Sequence, residues 1–491
     1  MQHIVPAPVT VKPRPGTTFT LGADTTVHTH PGSPEARRVG EYLAGVLRPS
    51  TGYRLPVVPG ASGRDISLVL TGADPAVGEE GYQLDVTTRG VIIRARTAAG
   101  LFAGVQTFRQ LLPAKAESGT KQDGPWTVPG GSVVDHPRYA HRGAMLDVAR
   151  HFFPPDEVKR YIDRIAAYKI NKLHLHLTDD QGWRLEIKSR PNLTAAGSTT
   201  QVGGGTGGFY TQDEYRDLVE YAAERFITVI PEIDLPGHTN AALVAYPELN
   251  EDGIAREPYT GIDVGFSSVA IHKDETYEFL DDVLREVAAL TPGEFIHIGG
   301  DEALKTTDED YLAFMGRLLP LVAKYGKKAL GWHEFLKATP DASAVAQWWG
   351  TEPKAPELVE AAKRGNKVIL SPATKSYLDM KYREDTELGL KWAGFVEVEQ
   401  SYSWDPGAFV ADLPADAVLG VEAPLWTETV EDRAALEYLV YPRLAGIAEL
   451  AWSPASALGW DGYKERLAAQ APRWRAQGIA FYESPQVAWK R

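Results

Sequence analysis

Asp301 and Glu302 stand side by side after Phe295-Ile296-His297-Ile298-Gly299-Gly300, a short apolar run closed by two glycines. Neighbouring carboxylates repel, and successive residues of a strand point to opposite faces. Such a pair at a strand mouth is either solvated decoration or chemistry that needs both groups, and general acid–base work is one such chemistry. Gly299 and Gly300 would let the strand end drop its alternation, so that both side chains reach one pocket. The pattern recurs along the chain. Other short apolar runs lead to Asp147 and Arg150, Asp179-Asp180, Asp234 and His238, Trp332 and Glu334, Trp348-Trp349, Tyr377 and Asp379, and Trp426 and Glu428. Each alone has a bland reading, because Asp and Glu cap helices and Trp fills rims. Eight strand ends in agreement are much harder to assign to packing.

The elements that would carry them are eight strand-like runs: "GAMLDVA", "KLHLHLTDD", "TVIPEIDLPGH", "FIHIGGDE", "KALGWHEF", "AVAQWWG", "KVILSPA" and "VLGVEAPLWTE". Amphipathic helical patterns lie between most of them. "PPDEVKRYIDRIAAYKIN" keeps Val158, Tyr161, Ile162, Ile165 and Tyr168 on one face, and "TQDEYRDLVEYAAERF" opens with a capping box of Thr211 and Glu214. Crossover helices force parallel strands, so the alternation predicts a (β/α)8 barrel, whose reactive groups sit at the C-terminal strand ends. The runner-up, an open doubly wound sheet, would carry a Gly-rich phosphate turn after its first strand, and "AMLDVARHFF" has none. Upstream, a helix over "SPEARRVGEYLAGVLRPSTG", a strand at "RDISLVLTG", and a hairpin turning near Arg89-Gly90 with a helix running to Pro113 predict a smaller α+β domain. Residues 114–130 are polar and rich in Gly and Pro, which suggests a linker and a boundary near Pro137. The expected division is therefore 1–137, non-catalytic, and 138–491, the barrel.

Carboxylates with indole and phenol rings and almost no basic groups make a site for a neutral sugar. The CH faces of a pyranose lie on aromatic planes while Asp, Glu and the planar fork of Arg150 take its hydroxyls. Pairing of Arg150 with Asp147 or Glu428 would be compatible with that role. Glycoside cleavage usually sets two carboxyl groups about 5–5.5 Å or about 6.5–9.5 Å apart across the scissile bond. Residues 301 and 302 are adjacent and can hardly flank one bond. Either another strand end supplies the second carboxylate, or the nucleophile is something else; spacing leaves both open.

"HIGGDEA" closely resembles the signature of the family 20 glycoside hydrolases, the β-N-acetylhexosaminidases, with most likeness to actinobacterial, Streptomyces-type members. The resemblance takes in "RGAMLDVARHFF", "NKLHLHLTDDQGWR", "PEIDLPGHTNAA", "GWHEF" and "APLWTE" in the family's order, and "AAGLFAGVQTFRQLL" near the N-terminus. It implies a retaining exo-hydrolase that removes terminal GlcNAc or GalNAc from chitooligosaccharides or glycans, with the substrate's own 2-acetamido oxygen as nucleophile and an oxazolinium ion as intermediate. By this resemblance Glu302 is the general acid and then base, Asp301 holds the acetamide N–H, and Tyr377 aims the acetamide oxygen. It also implies that Trp332, Trp349 and Trp426 wall the sugar, that Arg150, Asp379 and Glu428 take ring hydroxyls, and that Trp392 meets the aglycone. Asp179, Asp234 and His238 would stand behind Glu302 and tune it.

Two other readings compete. His174 and His176 share a strand face, and with Asp179 and His238 could form a metal site, but they precede the strand end and would lie down in the barrel layers. A barrel that binds chitin sugars without cleaving them would be expected to have lost one of Asp301, Glu302 or Tyr377. No metal or cofactor is expected, and the partner is a small carbohydrate. The 491 residues carry a net charge of −14 and no cysteine, which disfavours a nucleic-acid groove or an anionic membrane surface and excludes disulfides and thiolate chemistry. Neither a transmembrane run nor a signal-peptide pattern is present, so the expectation is a cytoplasmic protein, or a secreted one with its leader removed, existing as a monomer or weak dimer.

Overall fold

The computed structural model describes residues 1–490. The N-terminal unit is a seven-stranded mixed sheet made from β1 (Thr10–Leu21), β2 (Val27–Thr29), β3 (Val57–Pro59), β4 (Asp65–Val69), β5 (Tyr82–Val86), β6 (Gly90–Ala95) and β7 (Trp126–Asp135), in the order β1-β7-β5-β6-β4-β2-β3. Its helices are Pro34–Thr51, capped by Ser33 and closed by left-handed Gly52, and Ala98–Leu111, capped by Thr97. Segment 114–130 is only partly a linker, because Trp126 onward is β7, which pairs with both β1 and β5. β1 was invisible in the pattern: Pro13 and Pro15 argue against a central strand, and β1 lies at the sheet edge, where a missing N–H costs nothing.

The eight barrel strands fall where the apolar runs place them: β8 (His141–Asp147), β9 (Lys172–His176), β12 (Thr228–Leu235), β13 (Phe295–Gly299), β14 (Lys328–Trp332), β15 (Val345–Trp348), β16 (Lys367–Leu370) and β17 (Val418–Leu425). All are parallel, and β17 pairs with β8 to close the ring, so the (β/α)8 architecture holds. β9 is shorter than the run suggests. It ends at His176, and Thr178–Asp179 and Gly182–Trp183 form a separate two-residue hairpin, β10 and β11. Crossover helices pack outside; the one at Gln212–Ala223 carries the full Thr211–Glu214 capping box.

Barrel interiors are usually filled by layers of branched aliphatic side chains. Here Ile230, Leu330, Val345 and Ile369 make one such apolar cluster. The interior also holds His174, His176, Glu232, His297 and Glu422, all buried. A second cluster, Met145, Trp332, Ala373, Tyr377, Met380, Val396 and Trp426, gathers residues from strand ends and the loops that follow them. No helix among the described residues is long and apolar enough to cross a membrane.

Candidate active site

The strand-end residues converge on a cavity of about 470 Å3. Asp301, Glu302, Tyr377, Arg150, Asp379, Glu428, His238, Trp349, Trp392 and Trp426 line it, joined by Ile262, Val264 and Leu390. Backbone geometry explains how adjacent residues 301 and 302 both arrive. Gly299 has φ 67° and Gly300 φ 101°, and Glu302 itself is left-handed at φ 45°. A Cβ on Gly299 would stand 1.7 Å from Asp234 Oδ1, so only glycine fits beside that carboxylate. Gly300 N–H donates to Asp234 Oδ1 at 3.2 Å, and Tyr311 OH donates to the Gly300 carbonyl at 2.7 Å. A non-glycine residue in the left-handed region is strain that the surroundings must hold.

The two carboxylates differ in setting. The Asp301 side chain is 10% exposed and that of Glu302 is 32%. Burial, then the charge of Glu302, pushes the Asp301 carboxyl up to about 6, although His238 opposes the rise. His238 stands behind both, its Nε2 3.5 Å from Asp301 Oδ2 and 3.3 Å from Glu302 Oε2. Its Nδ1 bonds Asp179 Oδ1 at 3.1 Å. Burial works against charge on His238, yet Asp179 and Asp301 together hold the imidazole well above its usual range. Asp179 is buried too, but Arg150 and then His238 outweigh that cost and keep its carboxyl well below the ordinary value. Asp234 goes the other way: burial and the neighbouring Asp301 raise it strongly.

Arg150 pairs with Asp147 at 3.2 Å and Asp179 at 3.0 Å, and its guanidinium lies 4.9 Å from the Trp426 ring. Of the two carboxylates weighed as partners from the sequence, Asp147 is paired with Arg150, and Asp179 joins it. Several buried polar atoms in the cavity have no protein partner: Arg150 Nε, Asp301 Oδ1, both oxygens of Asp379, and Glu428 Oε2. Burial, then Glu428, lifts the Asp379 carboxyl well above its ordinary range, and burial also lifts Glu428. Buried polar groups normally find partners, so this set marks where ligand hydroxyls and amides would bind. Trp392 is 52% exposed at the rim. It meets Trp349 and Tyr377 edge-on, with ring centroids 5.8 Å away in both cases.

One expected wall residue is set further back. Trp332 is 0% exposed and packs with Tyr377 and Trp426, which line the cavity. At the end of β14 its ring turns into the barrel, where Glu232 accepts the indole N–H at 2.9 Å, and it backs Trp426 at 5.7 Å. Glu334 is a residue that the sequence marked only as a strand-end carboxylate. It accepts the Trp349 indole N–H at 3.1 and 3.2 Å, and burial plus Asp301 raise its carboxyl to about 8. Nothing in a sequence says which carboxylate meets which indole.

Among the described residues, four His–carboxylate triplets bring donor atoms within 4.8 Å: His174-Glu232-His297, His176-Glu232-Asp234, Asp179-Asp234-His238 and His238-Asp301-Glu302. His174 and His176 each use both ring nitrogens on carboxylates, so these rings have no lone pair to offer an ion. At His174 and His176 the donor set fits a closed ion-pair network better than a metal centre.

Acid–base carboxylates, aromatic planes and unpartnered hydroxyl acceptors at the C-terminal mouth of a parallel barrel define a sugar-processing enzyme. Two family models match: "Glycosyl hydrolase family 20, catalytic domain" over residues 139–455 and "Glycosyl hydrolase family 20, domain 2" over residues 1–136. The chain belongs to glycosyl hydrolase family 20 and is a glycoside hydrolase. A β-N-acetylhexosaminidase from Cellulomonas fimi is 43% identical over 488 residues, covering 99% of this chain and 97% of that protein. The structure of a Streptomyces plicatus N-acetyl-β-hexosaminidase in complex with thio-NAglucal superposes with a TM-score of 0.97 at 57% identity, covering 100% and 98% of the two chains. A family 20 β-N-acetylhexosaminidase from Streptomyces coelicolor A3(2) gives 0.97 at 56%, covering 100% and 99%.

Proposed function

We propose that this enzyme is a retaining exo-β-N-acetylhexosaminidase, acting on terminal GlcNAc or GalNAc of chitooligosaccharides or glycans, and that the substrate's acetamide is the nucleophile. The observation that carries the reading is the adjacency of Asp301 and Glu302 on one cavity, with Asp301 buried and one of its oxygens free. Two carboxylates so placed can serve one side of one sugar. Glu302, the more exposed, protonates the glycosidic oxygen as the bond to C1 breaks. The acetamide oxygen closes on C1, and Asp301 takes the amide N–H and stabilises the positive charge left on the ring. Tyr377 holds the acetamide oxygen on line, while Trp349 and Trp426 shield the ring. Glu302, now a carboxylate, removes a proton from water; water opens the oxazolinium at C1 and the β configuration returns. Asp379, Glu428 and Arg150 hold ring hydroxyls, and Asp179, Asp234 and His238 set the charge around the pair. The sequence relatives and the ligand-bound Streptomyces plicatus enzyme support this substrate class. In the same reading, residues 1–137 form a non-catalytic unit that braces the barrel. A non-cleaving chitin-sugar-binding barrel has no observation in its favour.

An intramolecular carbonyl beside C1 has an effective molarity of up to roughly 10⁵–10⁸ M in well-oriented systems. β-Glucosides, which lack it, should be hydrolysed orders of magnitude more slowly than the matching N-acetyl sugars. A thiazoline analogue of the intermediate should inhibit competitively. Proton NMR should show the β anomer forming first. A covalent glycosyl adduct on Glu428 or Asp379 after trapping with a fluorinated sugar would end the reading.

A further inference from the structure

Inside the barrel, Glu232 of β12 gathers side chains from three other strands. Its Oε2 accepts from His174 Nε2 at 2.8 Å and from His176 Nδ1 at 2.5 Å, both on β9. Its Oε1 accepts from Trp332 Nε1 of β14 at 2.9 Å and lies 3.2 Å from His297 Nδ1 of β13. The other nitrogen of His176 faces Asp179 Oδ2 at 2.7 Å. Only an imidazolium donates at both nitrogens, so His176 is a cation. The same holds for His174, whose Nδ1 meets Glu422 Oε1 of β17 at 2.8 Å. The charges alternate: Glu422, His174, Glu232, His176, Asp179, and then Arg150 and His238. His141 and Gln347 close the far end on Glu422, at 2.8 and 2.9 Å. Asp234, two residues along β12, and Asp147 of β8, beside Arg150, complete the charged surroundings. At the near end His238 faces Asp301 and Glu302.

We propose that Glu232 is a positioning residue that couples the acid–base pair to the aromatic wall, holding His176 on one side and Trp332 on the other. This rests on the reading of Asp301 and Glu302 as the working pair. Through His176, Asp179 and His238 its charge reaches the two carboxylates. Through Trp332 it fixes what stands behind Trp426. Loss of the charge leaves Asp179 alone to hold His176 as a cation, and Asp179 then leans more heavily on Arg150 and His238.

Glu232→Gln keeps the volume and an oxygen for Trp332, but sets an N–H against an imidazolium N–H. On a chromogenic N-acetylglucosaminide kcat should fall about 10–100-fold, the scale of an ångström-sized misplacement. The acid limb of the kcat/KM profile should move, and Glu232→Asp should recover part of the loss. Trp332→Phe removes the indole N–H together with part of the buried ring, but no charge, and should raise KM without moving that limb, while His176→Gln should move the limb. If Glu232→Gln does not fold, these two variants decide the matter by the same criteria. A folded Glu232→Gln with the wild-type kcat and pH profile, or wild-type behaviour in both Trp332→Phe and His176→Gln, overturns the proposal. The wild-type preference for N-acetyl sugars over β-glucosides is measured alongside. Its absence would sink the substrate-assisted reading, whatever Glu232→Gln does.

Discussion

At the scale of single residues, Asp301 does two opposed things. A carboxyl held up to about 6 by burial and by Glu302 is partly protonated in weak acid, when it cannot stabilise a developing positive charge. Activity should therefore fall as pH drops through about 6, and Asp301→Asn should lack that limb along with most of the turnover. The stability effect has the opposite direction. The folded state holds this proton up to about 6, whereas an unfolded Asp releases it near 3.9. Between those values the folded chain binds more protons, so stability declines as pH rises through the window and the loss is complete above it. Asp301→Asn removes the ionisation and should raise the melting temperature at neutral pH, by the equivalent of about 1–3 kcal/mol. A variant that is less stable at pH 7 than the wild type counts against this account. The pair itself was legible because packing alone gives a chain little reason to set two carboxylates directly after two glycines. Glu232 and the partner of Glu334 were not, since their meaning comes from residues distant in the chain. The orientation of Trp332 was hidden for a related reason: a strand-end position does not say that its N–H reaches Glu232 inside the barrel while its ring backs Trp426.

At the scale of elements, the eight barrel strands could be read directly because buried parallel strands are near-continuous apolar runs. β1 and β7 could not. "TVKPRPGTTFTL" and "WTVPGGSVVD" contain the Pro and Gly that normally end strands, and here those residues sit where the β1–β7 register shifts, between Pro13 and Thr18. The element that matters most for chemistry is the end of β13. Gly299→Ala places a Cβ into Asp234 Oδ1 at a left-handed φ, so the chain must shift just before Asp301. We expect kcat to drop at least 100-fold, with far-UV circular dichroism unchanged and the Asp234 contact to Gly300 lost. Activity within twofold of wild type would mean that the strand end is not what aims the pair.

For the whole molecule, the sheet unit and the barrel are joined through buried charge rather than apolar surface alone. Asp135 at the end of β7 accepts at one oxygen from Tyr82 OH (2.8 Å), Lys169 Nζ (3.1 Å) and Trp452 Nε1 (3.0 Å). Lys169 also lies 4.6 Å from the Trp452 ring, and Arg142 of β8 pairs with Glu80. Breaking a buried pair by removing one partner costs about 3–5 kcal/mol, because the other charge is left without compensation. Asp135→Ala should lower the denaturant midpoint accordingly, while protein that remains folded keeps its kcat. A double change, Asp135→Asn with Lys169→Met, should recover much of the loss. If it does not, the cluster is not acting as a charge pair.

The alternating ions inside the barrel have a further consequence, for how such a sequence can drift. A layer of Val, Ile and Leu tolerates exchange one residue at a time, since volume is most of what it must conserve. His174, His176, Glu232 and Glu422 do not have that freedom, because each is bonded to two buried titratable neighbours at 2.8 Å or less. A lone substitution strands a buried charge, so viable routes pass through paired changes or none. The ions inside this barrel stand or fall as a set, held together by arithmetic of charge rather than by volume.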